Sequence, residues 1–85
     1  MPLFLIERQF AEELEIGAAS VANIQQVNAD VGVNWVFSFL SADRKKTYCL
    51  YEAPSAEAIR QAARLASLPA DVVIEVTQVR PESFV

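Results

Sequence analysis

The chain opens with Leu3-Phe4-Leu5-Ile6-Glu7-Arg8, a compact apolar run of strand formers that ends in charge. Glu12 and Glu13 then place acidic groups where they favour a helix start. Leu14, Ala18, Val21 and Gln25, flanked by Gly17, Ala22 and Ile24, keep helical spacing to about Ala29. The Ala-, Gly- and Ser-rich middle of this segment suits a helix lying close against a sheet. Residues 33–40 carry Trp35, Val36, Phe37 and Phe39, all good strand residues. Ser41-Ala42-Asp43-Arg44-Lys45 is polar and hairpin-like, and residues 46–52 return as a third strand. Pro54-Ser55 stops that strand and opens a second helix, with Ser55 as N-cap and Glu57 in the first turn. Ile59, Ala62, Ala63 and Ala66 share one helical face, while Arg60, Gln61 and Arg64 fall on the other. Pro69 ends the helix, residues 72–79 form the last strand, and Pro81 closes it.

The order strand, helix, strand, strand, helix, strand predicts an α+β domain spanning residues 1–85. Right-handed crossovers put both helices on one face of a four-stranded antiparallel sheet of order 4-1-3-2, the ferredoxin-like βαββαβ arrangement. The uncovered face should then be polar. Yet the strands are apolar in both phases, as in Leu3/Leu5 with Phe4/Ile6, and Tyr48/Leu50 with Cys49/Tyr51. Something must cover the second face, and another copy of the chain is the simplest candidate, which predicts a homodimer.

Composition sharpens that expectation. A chain of 85 residues buries only about 60–65% of its unfolded surface. Here 53% of the residues are hydrophobic, which favours further burial at a subunit interface. A membrane span does not account for the excess, because the apolar stretch at residues 3–6 is far short of the ~20 residues a spanning helix needs. No secretion signal is apparent. The net charge of −4 disfavours nucleic acid, and the basic cluster Arg44-Lys45-Lys46 reads as a solvated turn. The single cysteine, Cys49, cannot form an internal disulfide, which points to the reducing cytoplasm.

Several blocks carry a resemblance: Ile6-Glu7-Arg8, Val33-Asn34-Trp35-Val36-Phe37-Ser38, Thr47-Tyr48-Cys49-Leu50-Tyr51-Glu52-Ala53-Pro54, Ala56-Glu57-Ala58-Ile59-Arg60 and Leu68-Pro69-Ala70-Asp71. Through them the chain resembles a small bacterial "domain of unknown function" family of ferredoxin-like proteins that includes a nickel-binding member. The resemblance covers nearly the whole chain and implies the same fold. It also implies a nickel-like ion as one possible ligand. Members commonly carry a histidine after the first strand's Glu-Arg pair and another on the second helix. Here those places hold Gln9 and Gln61 or Ala62, and the chain has no histidine. Imidazole is a preferred nickel ligand.

The candidate chemistry is sparse. The first and third strands are read as parallel neighbours, so that Glu7 and Glu52 meet at one rim. Arg8 and Tyr51 stand next to them in sequence, and Asn34 and Trp35 arrive from the second strand. Two carboxylates, an arginine, a phenol and an indole could bind a small ligand or a hard cation, or share a proton. The plainer alternative is ordinary strand-end ion pairing. Cys49, in mid-strand, reads as a small buried hydrophobe, and Trp35, Phe37, Phe39, Tyr48 and Tyr51 as core or interface aromatics.

Without histidine there is no Ser-His or Cys-His pair, and Gly17 and Gly32 alone make no phosphate-cradling loop. The RNA-recognition motif shares the element order, but Lys46-Thr47-Tyr48-Cys49 lacks the glycines its third strand needs. The expected function is a non-enzymatic dimeric binding module without a cofactor. It would recognise a small molecule or metal at the rim or in the sheet–helix cavity. The alternative is a cofactor-free monooxygenase or isomerase of the dimeric α/β-barrel type. A shared scaffold does not choose between them.

Overall fold

In the computed structural model, which describes residues 1–84, the strands are β1 (Leu3–Gln9), β2 (Asn34–Leu40), β3 (Lys46–Glu52) and β4 (Val72–Val76). Helix α1 (Ala18–Val31) joins β1 to β2, and α2 (Ala56–Leu65) joins β3 to β4. The sheet order is β2-β3-β1-β4, which is the expected 4-1-3-2 order read from the other edge. Every neighbouring pair is antiparallel.

That last point corrects one expectation. β1 and β3 are antiparallel, with Leu3 opposite Glu52 and Glu7 opposite Tyr48. The crossover through α1 returns β2 parallel to β1, and the hairpin then reverses the chain. The returning β3 slots between them, so it runs against both.

The alternation of the central strands decides the core. Phe4, Ile6, Cys49 and Tyr51 point to the helices and are buried, together with Ile59 and Ala62 of α2 and with Val33 and Ala53. Ile6 and Ile59 are the largest fully buried side chains. Helix α2 begins as its sequence predicts, with the Ser55 hydroxyl accepting from the Ala58 amide at 3.2 Å. It ends before Pro69, at Leu65, and Ser67 takes a left-handed backbone conformation (φ 56°) just beyond.

Two element boundaries differ from the sequence reading. Helix α1 starts at Ala18 rather than near Glu12, because residues 10–14 are bonded elsewhere. The amides of Phe10 and Leu14 donate to the carbonyls of Lys45 and Arg44, at 2.8 and 2.7 Å. The helix closes at Gly32, whose φ of 84° lets its amide reach the Asn28 carbonyl. Strand β4 stops at Val76 rather than Val79, since Val76 already faces Leu3, the first residue of β1. Beyond it no partner strand remains among the described residues. Among the described residues no helix is long and apolar enough to cross a membrane.

Candidate functional site

The helix-facing surface of the sheet is not apolar throughout. Towards the end of β1 it carries Arg8, directly opposite Thr47 of β3. Cys49 and Tyr51 follow Thr47 at alternate positions on the same face, with Ser38 and Trp35 of β2 opposite them. A bulge makes this β2 pairing possible. Simple alternation would place Trp35, Phe37 and Phe39 on one face. Between Trp35 and Phe37 the register slips by one residue, so Trp35 faces the helices while Phe37 and Phe39 face away. The Trp35 indole then donates to the Ser38 hydroxyl at 2.7 Å, and the Cys49 thiol lies 3.6 Å from Thr47 Oγ1.

Above this floor lies a cavity of about 450 Å³, within the ~300–1,000 Å³ typical of small-molecule sites. Its roof is the front half of α1 (Ala19, Ser20, Asn23 and Ile24), and Phe10, Leu14 and Ile16 of the preceding segment close one side. Ala66 and Leu68, just after α2, also contribute. The space is open on the side of α1, where the short side chains of Ala19, Ser20 and Asn23 line it and remain exposed. The segment over the cavity is pinned from outside, where the Arg44 guanidinium donates to the Leu14 carbonyl at 2.9 Å. Arg44 itself holds a left-handed backbone (φ 62°). Of the basic cluster, Arg44 and Lys45 lie in the turn as expected, with Arg44 clasped to the cavity wall, whereas Lys46 opens β3.

Arg8 is the unusual group. It is only 3% exposed, yet none of the ion pairs among the described residues includes it. Its guanidinium donates to the Pro69 carbonyl and stands 5.9 Å from the centre of the Tyr51 ring. Burial pushes the Tyr51 phenol above its ordinary pKa, and the Arg8 charge and Asn28 oppose that shift only in part. The Asn28 amide lies beside this hydroxyl, but its Nδ2 makes no hydrogen bond of good geometry.

The five residues singled out from the sequence therefore divide. Arg8, Trp35 and Tyr51 line one cavity. Glu7 and Glu52 do not share a rim. Both lie on the open face, but Glu52 sits opposite Leu3 and Glu7 four residues further along β1, about 14 Å away at ~3.4 Å per residue. Each has an ordinary partner: Lys46 Nζ is 3.1 Å from Glu7, and Asn34 donates to Glu52 at 2.8 Å. Sequence reasoning missed Thr47, Ser38 and Ser20 as cavity residues. A polar residue in the buried phase of a strand, as at Thr47, was the available signal. Cys49 is buried as expected and forms part of the same wall. Among the described residues no three of His, Cys, Asp and Glu come close enough to hold a metal ion.

Residues 4–76 match the family described as "nickel responsive protein SCO4226-like". The chain belongs to this family. Among solved structures it is similar to SCO4226 from Streptomyces coelicolor A3(2), with a TM-score of 0.70 and 23% identity. The similarity covers 92% of this chain and 99% of that one, and at this identity it shows the shared fold. No curated protein matches the chain. The family match accounts for the blocks that carry the resemblance, which fall largely on β1, β2, β3 and α2.

Proposed function

We propose that this SCO4226-like protein is a cytoplasmic, non-enzymatic binding module that holds a small molecule between α1 and the sheet, and that it works as a homodimer. The observation that carries the reading is the cavity itself, with apolar walls and a few polar groups converging on one floor. Burial keeps the Tyr51 phenol in its neutral form, so it can donate a hydrogen bond to a bound molecule. Self-association is supported by the open face, where Phe37, Phe39 and Ile74 are 49%, 65% and 48% exposed.

The family's description names nickel. The donors of this chain do not fit that ion: there is no histidine, and its one thiol is buried away from any carboxylate cluster. The proposed ligand is therefore organic.

A thermal-shift screen of metals and small aromatic compounds tests the reading, because whatever binds the native state raises its melting temperature. Aromatic compounds should stabilise the wild-type protein and fail to stabilise Ala19→Trp, which fills the cavity from its roof. If no organic compound shifts the transition, or if nickel does so strongly, the reading is wrong.

A further inference from the structure

We propose that the ligand is a small monocarboxylate with an apolar, ring-sized body, its carboxylate seated on Arg8. This rests on the reading that the cavity holds a small molecule, and adds its chemical class.

Arg8 is a buried residue, and burying a charge is unfavourable unless it is paired. Arg8 donates to the Pro69 carbonyl from one nitrogen and stands over the Tyr51 ring, and both partners are neutral. Guanidinium offers five N–H donors in a fork that matches a carboxylate. If fastening the loop after α2 were its whole task, an uncharged donor would serve at lower cost.

The polarity of the hydrogen bonds on the cavity floor points to the same ligand, independently of the Arg8 charge. Ser38 Oγ accepts from the Trp35 indole, and Thr47 Oγ1 is the acceptor for the Cys49 thiol. A hydroxyl has one proton to give, and in both residues it is left for another partner. Tyr51 keeps its proton as well. Arg8, Thr47, Ser38 and Tyr51 all line the cavity, and all can present donors to it. A floor of donors under apolar walls suits a ligand whose polar end only accepts. Arg8 is the one cationic side chain among the described lining residues, and Glu15, which is exposed, is the one carboxylate. A single cation matches a single anionic group on an otherwise apolar frame.

The experiment compares acid and amide forms of the same compounds, which differ in charge but hardly in shape. Phenylacetate with phenylacetamide and 1-naphthylacetate with 1-naphthylacetamide are titrated into the protein by calorimetry and followed by ligand-detected NMR. Each acid should bind at least about tenfold tighter than its amide, as expected for hydrogen bonds to a charged group. In Arg8→Gln, which removes the charge and keeps a polar side chain, the preference should vanish while binding of the amide stays. Circular dichroism establishes that the variant is folded. If it is not, the acid-to-amide ratio in the wild-type protein decides alone. Equal binding of acids and amides would leave a small-molecule cavity in place and overturn the anion assignment. An acid preference that persists in folded Arg8→Gln would also overturn it. Failure of every acid and amide to bind at millimolar concentration would overturn both this inference and the reading beneath it.

Discussion

Burial of Tyr51 couples one phenol to the stability of the whole fold. Its folded-state pKa lies above the ordinary value of 10.0 because desolvation disfavours the phenolate. The unfolded chain therefore gives up this proton first as pH rises. The stabilisation is intact below about pH 10 and is lost as pH climbs through the raised folded pKa. Urea unfolding between about pH 8 and 11 should show the wild-type protein losing stability more steeply than Tyr51→Phe; equal slopes would contradict the assignment. Core truncation is a second residue-scale test. Ile59 is 1% exposed, so Ile59→Ala should cost about 2–5 kcal/mol, a large share of the stability of a domain this small. Denaturant midpoints measured at constant slope check it.

Among the elements, the hairpin between β2 and β3 does more than reverse the chain. Arg44 supplies both a carbonyl and a guanidinium to Leu14, and so holds residues 10–14 out of helix α1 and over the cavity. Arg44→Gly keeps the left-handed turn, which glycine adopts without strain, but removes the side-chain clasp. Amide exchange in residues 10–16 should speed up, while global stability changes by less than about 1 kcal/mol. Unchanged exchange would show that the backbone bonds alone hold the wall. The same segment marks where sequence reasoning stops. Glu12, Glu13 and Leu14 have helical spacing, and what pulls them from the helix is a long-range bond to residue 44. Strand β4 ends at Val76 for a similar reason, since its length is set by where β1 begins. Element order and the Ser55 cap were legible because they depend on local pattern. The pairing of Glu7 with Glu52 failed because it assumed a strand direction that the hairpin forbids. The bulge at Val36, which separates Trp35 from Phe37, leaves no local mark that propensity can detect.

At the scale of the molecule, the two faces of the sheet have different fates. One is roofed by helices and holds the cavity. The other presents Leu5, Leu50, Phe37, Phe39 and Ile74 across all four strands. Phe37 and Phe39 pack edge to face, 5.4 Å between ring centres, and both remain largely exposed. Light scattering at micromolar concentration should give twice the 9.4 kDa mass of the chain. Phe39→Asp should shift the equilibrium to the monomer and leave the cavity able to bind. A folded wild-type monomer at every concentration would refute the dimer. Calorimetric titration with nickel should show no tight stoichiometric binding, and a clear sub-micromolar site, equivalent to more than about 8 kcal/mol, would mean the donor set has been misjudged.

The bulge in β2 has one more consequence, and it is optical. By turning Trp35 inward it places the only indole of the chain on the cavity wall, with its N–H fixed on Ser38. Indole emission responds to the polarity and mobility of its surroundings. The protein therefore carries its own fluorophore at the place where occupancy changes the environment most. Displacement of water from beside Trp35 should move the emission maximum to shorter wavelength without any label. The aromatics that face outward on the same strand, Phe37 and Phe39, do not contribute when the sample is excited in the tryptophan band.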